Sequence, residues 1–290
     1  MRRVAVLCWI LALVAQPAWA ASSPGLRPLE QQLAALVAAA PGDVGVAALD
    51  LKSGERVSIN GDEPFPMAST VKIAIAANYL AQVEHGRRSL DDVIAGRSAR
   101  SLIEAMMIRS DNHSTDLLMR DLGGPQTLQA WLGQHGLFGL RIDRNIAQLL
   151  RSKRDLRDVR DSATPQAMVT LLQKLDSGAL LKPDSRSYLL DVMSRCKTGR
   201  NRIRALLPAW ARVEHKTGTL SGYTSDVGFI TLPDGRRIAV AFFARGGSNR
   251  ARSIAEAARA IYDGFAATLR SSFTAALAPP ERTWVLRPQP

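Results

Sequence analysis

Three short runs contain the residues best suited to covalent chemistry: Ser69-Thr-Val-Lys72, Ser110-Asp111-Asn112 and Lys216-Thr217-Gly218-Thr219. A serine hydroxyl is a weak nucleophile until a neighbouring base accepts its proton. Residues three apart on a helix share a face, so Lys72 is expected beside Ser69. At a buried helix start, the positive end of the helix dipole and desolvation both favour the neutral amine, which is the basic form. Ser69 is therefore the expected nucleophile and Lys72 its base. Ser110 can relay a proton toward a departing nitrogen, while Lys216 keeps the field positive. The backbone N–H groups of Ser69 and Thr219 are expected to hold a developing oxyanion. Asn112 can donate to an amide carbonyl, and Thr217 and Thr219, with Gly218 between them on the strand, can bind a substrate carboxylate. The chemistry implied is acyl transfer onto Ser69 with opening of an amide bond.

Each run is weak alone. Ser194-Arg-Cys-Lys197 repeats the first pattern and Lys197-Thr198-Gly199 the third. Both repeats fall in one arginine-rich turn leading into an expected helix, Arg202 to Leu207, where Thr198 and Gly199 read as a cap. The ordered triple in strand and helix context is far more specific.

The elements that must position these residues can be read from apolar periodicity. Pro28 to Ala40 has a helical period, Val44 to Leu49 reads as a buried strand, and Arg56 to Ile59 completes a hairpin across Lys52–Glu55. Pro64 and Pro66 precede a long apolar run, Ser69 to Val83, expected as a buried helix. From Ser89 to about Leu181 only helical patterns occur, among them Ser101 to Ile108, Ser114 to Leu122, Pro125 to Leu137 and Pro165 to Leu175. Arg212 to Lys216, Ser225 to Leu232 and Arg237 to Phe243 read as strands, with Pro233-Asp234-Gly235 a tight turn. Ile254 to Leu269 reads as a closing helix. The expected fold is α/β: an antiparallel sheet built from both chain ends (21–66 and 205–277), flanked by helices, with an all-helical domain (67–204) inserted. Residues 278–290, with four prolines, read as a loose tail.

The chain has 290 residues, 46% of them hydrophobic, ample for a large core. Residues 1–20 have the pattern of a secretory leader: Arg2 and Arg3, an apolar stretch from Val4 to Val14, and Ala18-Trp19-Ala20 at the cleavage spacing. The apolar stretch is short for a membrane anchor, which needs about 20 residues. A periplasmic or secreted protein cleaved after Ala20, without a membrane anchor, is expected. Cys8 lies in the leader, so Cys196 is the remaining cysteine and no internal disulfide is expected. The four histidines form no cluster with metal-ligand spacing, so neither metal nor organic cofactor is implied. The net charge is +12, densest from Arg141 to Arg160. Export and the lack of aromatics interleaved with that charge argue against nucleic acid as a partner. The reading is a solvated basic surface on an expected monomer.

In motif order the chain resembles the class A β-lactamases and their relatives, the serine penicillin-binding proteins, which carry Ser-x-x-Lys, Ser-Asp-Asn and Lys-Thr-Gly in this sequence. The resemblance extends to Phe65-Pro-Met before the nucleophile, Gly123-Gly124-Pro125, Asp161-Ser-Ala-Thr-Pro165 and His215. It implies a β-lactam or a cell-wall peptide as the small-molecule substrate. It also implies a loop-bracing Asp111 and a carboxylate-binding role for Arg202. His113 and His215 read as packing or hydrogen-bonding residues.

One departure matters. Class A enzymes activate the deacylating water with a glutamate two residues after an Asp-Arg pair, with Leu-Asn following. Asp143-Arg144 and Leu149 fit that register, but Ile146 fills the acid's place and Leu150 the asparagine's. An isoleucine cannot accept a proton. Asp143, Asp155 and Asp158 are the substitutes along the loop, and Asp143 reads better as an anchor. The departure leaves a β-lactamase-like hydrolase, a D-Ala-D-Ala peptidase or acyltransferase, and a slowly deacylating β-lactam binder or sensor as the three functional expectations.

Overall fold

The computed structural model describes residues 22–277; the expected leader and the tail lie outside the described residues. The strands are β1 (Asp43–Asp50), β2 (Arg56–Ile59), β3 (Phe65–Pro66), β4 (Val93–Ile94), β5 (Arg97–Ser98), β6 (Ser162–Ala163), β7 (Val213–Leu220), β8 (Tyr223–Thr231) and β9 (Arg237–Arg245). The helices are α1 (Arg27–Ala39), α2 (Lys72–Glu84), α3 (Ala99–Ile108), α4 (Asn112–Asp121), α5 (Pro125–Gln134), α6 (Ile146–Arg151), α7 (Pro165–Asp176), α8 (Pro183–Ser194) and α9 (Arg250–Leu277).

Five strands form an antiparallel sheet in the order β2-β1-β9-β8-β7. The N-terminal hairpin thus pairs with the last strand, Val46 opposite Phe242, as expected of a sheet built from both chain ends. Side chains alternate across a strand, and here both sheet faces are covered. Along β9, Ile238, Val240 and Phe242 join a core with Leu29, Leu33, Ile254 and Ile261 of α1 and α9. Ala239, Ala241 and Phe243 face a larger core with Phe65, Tyr79 and Leu172. Two-sided burial explains why this antiparallel sheet reads as nearly continuous apolar runs.

Helix α2 is buried from Lys72 to Ala81, which its alanines permit and its all-round apolarity requires. The sequence expectation of one α-helix from Ser69 is corrected at its start: Ala68–Val71 is a 3-10 turn that feeds α2. The expected Arg202–Leu207 helix shrinks to a 3-10 turn, Ile203–Ala205. Helix α8, the short α6 and the two-stranded pairs β3-β6 and β4-β5 are additional. Two-residue strands carry too little periodicity to be read from sequence.

Candidate active site

The nucleophile turn is built by conformational constraint on either side of Ser69. Ala68 adopts φ +48°, a left-handed conformation that costs a residue with a Cβ about 1–2 kcal/mol. The 3-10 turn then eclipses residues three apart, placing Ser69 over Lys72. Ser69 is half-buried. Behind it β7 passes so closely that a Cβ on Gly218 would lie 2.9 Å from the Met67 carbonyl oxygen, 3.2 Å from Ala68 Cβ and 2.3 Å from Ser225 Oγ. The glycine of the third run is therefore a spacing requirement between strand and nucleophile turn. Gly218→Ala should push these apart and lower turnover of a chromogenic cephalosporin by roughly 100-fold, the scale of an ångström-sized misplacement. Unchanged steady-state kinetics would show that the close approach is dispensable.

Lys72 and Lys216 are both fully buried. Lys72 Nζ donates to the Ser110 carbonyl oxygen at 2.8 Å, to Asn112 Oδ1 at 2.8 Å and to Ser110 Oγ at 3.2 Å. Lys216 Nζ donates to Ser110 Oγ at 2.9 Å and to the Thr217 carbonyl oxygen at 2.9 Å. One hydroxyl thus lies between two amines, brought there by the left-handed φ of +60° at Ser110. Burial, with the Lys216 cation behind it, brings Lys72 down to about 7; burial likewise brings Lys216 down to about 8. Lys72, expected beside Ser69, makes no hydrogen bond to it: Ser69 Oγ has no hydrogen-bond partner among the described residues, and Nζ turns to the oxygens of the second run. A buried amine satisfies its donors wherever acceptors are fixed, and here they belong to the α3–α4 turn.

Asp111 caps α4 by accepting from the Ser114 N–H at 2.7 Å, which is the bracing expected of it. His215 is buried, its Nδ1 2.7 Å from Asp226 Oδ1. Arg202 donates to the carbonyl oxygens of Gly218 (3.0 Å) and Ser225 (2.8 Å) and to Thr219 Oγ1 (2.7 Å), so its guanidinium lies along the end of β7. Thr217 Oγ1 is 2.6 Å from Thr198 Oγ1. The run Lys197-Thr198-Gly199, read from sequence as a mere cap, is thus part of the site's support. A Cβ on Gly199 would lie 2.4 Å from Thr217 Cγ2.

The basic loop is held by pairs within it. Asp161 accepts from the N–H groups of Asp143 (2.8 Å) and Arg144 (2.9 Å) and from Arg144 Nε (2.6 Å). Asp143 pairs with Arg141, Asp158 with Arg160 and Arg144, and Asp155 accepts from the Arg157 N–H. Ile146 opens α6 and is 5% exposed, packed in the larger core. The aspartate expected as a possible water-activating base is therefore engaged at all three positions, and Asp143 is the anchor it was read to be.

Sequence reading missed two positioning groups. Both carboxylate oxygens of Asp116 accept loop N–H groups, from Ile146 at 2.8 Å and Ala147 at 2.9 Å, tying α6 to the helix that carries Asn112. Its one signal is its place four residues after Asn112, on the same helical face. Arg245, at the end of β9, bonds Asp43, Glu63, the Pro64 carbonyl oxygen at 3.0 Å and lies over the Phe65 ring. It clamps the segment that enters the nucleophile turn. A cavity of about 440 Å³ is lined by His113, Asp116, Arg120, Gly124 and Asn145 among others. Its lining includes neither Ser69 nor either lysine.

Among the described residues no helix is long and apolar enough to cross a membrane. Residues 28–265 match the family model described as the β-lactamase enzyme family. The carbapenem-hydrolyzing β-lactamase KPC of Klebsiella oxytoca is 33% identical over 215 residues, 67% of this chain and 73% of that protein. β-Lactamase L2 of Stenotrophomonas maltophilia is 36% identical over 205 residues, 64% of this chain and 67% of that protein. The structure of an ancestral class A β-lactamase (GNCA) superimposes with a TM-score of 0.77 at 36% identity, covering 82% of this chain and 100% of that one. With its motif order, its sheet and its pair of buried lysines about one serine hydroxyl, the chain is a member of the class A β-lactamase family of active-site-serine hydrolases.

Proposed function

We propose that the protein opens the amide of β-lactams through an acyl-enzyme on Ser69. The observation that carries this reading is the convergence of Lys72 Nζ and Lys216 Nζ on Ser110 Oγ, one helical turn from the nucleophile. As the neutral amine, with two N–H groups, Lys72 keeps its donations to the Ser110 carbonyl oxygen and Asn112 Oδ1 and gives up the longer one to Ser110 Oγ, so its lone pair takes the Ser69 proton as Oγ attacks the lactam carbonyl carbon. The oxyanion forms at the N–H groups of Ser69 and Thr219. As the C–N bond breaks, Ser110 gives its proton to the nitrogen and recovers one from Lys72. Lys216, donating to Ser110 Oγ, leaves that hydroxyl's own proton free for the relay. Asn112, whose Oδ1 is held by Lys72, offers its amide N–H to the substrate. Thr219 and Arg202 form the carboxylate-binding end, supported by the Thr217–Thr198 contact. The relatives named above are β-lactamases, which supports this substrate class over cell-wall peptides. Export of a monomer after removal of residues 1–20 completes the reading.

The buried Ile146 favours slow deacylation over rapid turnover. The test is a time course by intact-protein mass spectrometry with a cephalosporin. A stoichiometric adduct on Ser69 that decays with release of the hydrolysed drug is expected; absence of any adduct would overturn the proposal. Ile146→Glu restores a carboxyl at the position where the family carries its glutamate. It should hasten adduct decay at least ~10-fold, as a general base does. It should also lower stability by about 1–3 kcal/mol, because a polar group replaces a buried apolar one. Unchanged decay in a folded variant would mean that position 146 does not face the acyl carbon.

A further inference from the structure

We infer that Lys72 serves both halves of the reaction, acting also as the base that activates the deacylating water. The inference rests on the acyl-enzyme reading above and assigns the group that the loop does not provide. It stands on how the carboxylates around the cluster are engaged. On α4, Asp111 is committed to the Ser114 N–H and Asp116 to the N–H groups of Ile146 and Ala147. On the loop, Asp143, Asp155, Asp158 and Asp161 are bound to loop arginines or loop N–H groups, and Ile146 is buried among apolar side chains. On α3 and α8, Glu104 and Asp191 both pair with Arg195. Behind β7, Asp226 is bound to His215. Lys216 on β7, the nearby Cys196, Arg202 at the end of β7 and Arg97 beside Ser114 are the other charged or titratable groups there. No carboxylate oxygen in the described residues makes a hydrogen bond to Lys72, Ser110, Asn112 or Lys216. Of the two amines that meet at Ser110 Oγ, Lys72 is the one a single turn from Ser69, and the first half-reaction leaves it ready for a second.

That readiness follows from the proton count. The proton Lys72 takes from Ser69 leaves through Ser110 onto the lactam nitrogen, so the acyl-enzyme carries Lys72 as a neutral amine. A water oxygen then attacks the ester carbonyl carbon while its proton passes to Lys72 Nζ. The carbonyl electron pair rests on the oxyanion at the N–H groups of Ser69 and Thr219. When the pair returns, the carbon–Oγ bond of Ser69 breaks, and the proton on Lys72 passes to the departing Oγ. The products are the hydrolysed drug, the Ser69 hydroxyl and neutral Lys72; the balance needs no further reagent.

The experiment forms the adduct with a cephalosporin near neutral pH, jumps the mature enzyme to pH values between about 3 and 10, and follows adduct decay by mass spectrometry. The decay rate should rise roughly tenfold per pH unit on the acid side and level off above about 7, where Lys72 ionises. In Ile146→Glu the rise should move toward the carboxylate range near pH 4–5. A wild-type profile already titrating in that range overturns the inference in favour of a carboxylate. So does Asp116→Asn or Asp158→Asn slowing decay at least ~10-fold at unchanged acylation rate. A rise that continues without levelling to pH 10 indicates plain hydroxide attack and also overturns it. Failure to form any adduct would instead sink the acyl-enzyme reading itself, so the two failures are distinguishable.

Discussion

Ser69→Ala should abolish the covalent adduct and lower β-lactam turnover by roughly 10⁴–10⁶-fold, the scale seen when a serine nucleophile is removed. Stability should change by no more than about 0.5 kcal/mol, because Ser69 Oγ has no hydrogen-bond partner among the described residues and the alanine leaves the 3-10 turn Ala68–Val71 intact. The measurement pairs mass spectrometry after incubation with a penicillin against thermal unfolding. A labelled Ser69→Ala protein would place the nucleophile elsewhere and end the mechanism argued above. The variant separates chemistry from architecture, since the turn's conformational cost sits at Ala68, with φ +48°, and not at the serine.

Lys72→Ala should slow acylation by roughly 10²–10⁴-fold, the range for loss of a general base, and it should also change how stability depends on pH. In the folded chain Lys72 ionises near 7, against 10.5 when exposed, because it is buried. Between those values the unfolded chain binds the extra proton, so stability rises with pH across that window. Lys216, near 8, acts in the same direction over a narrower window. Thermal unfolding of the wild type from about pH 6 to 10 should show this rise. In Lys72→Ala the slope should fall by the share of Lys72, leaving those of Lys216 and of Cys196, drawn down to about 6, and the opposing one of His215, raised to about 9. An identical slope in both proteins would mean that Lys72 is protonated throughout and cannot be the base. The same burial that makes the amine reactive thus costs folding energy at neutral pH, a conflict between stability and function that active sites commonly carry.

Much of the fold and of the site was legible before any coordinates. The 3.6-residue period marked α1, α3, α4, α5 and α7 within a few residues, and the apolar runs of β1, β8 and β9 identified a sheet drawn from both chain ends. Asp111 was expected from the resemblance to brace a loop by backbone hydrogen bonds; its bond to the Ser114 N–H caps α4, an arrangement local to three residues of chain. The two-residue strands and α6 were not readable, since they are too short to show a period. The turn at 203–205 was over-read as a helix because helical composition near Arg202 says nothing of the Gly218 and Ser225 carbonyls that hold the arginine.

The sequence by itself determined which residue types stand one turn apart, which faces are apolar, and that the loop's acid position holds an isoleucine. Tertiary structure alone decided that Lys72 turns to Ser110 and Asn112, and that Lys216 reaches the same hydroxyl from 106 positions away. It also decided between equal motifs: Ser194 bonds the Asp191 carbonyl in its own helix, while Thr198 supports Thr217. The physical reason is range. Helix and strand periods arise from neighbours along the chain, whereas a shared hydroxyl between two buried amines depends on how a turn crosses the edge of a sheet, and local propensity does not encode that crossing.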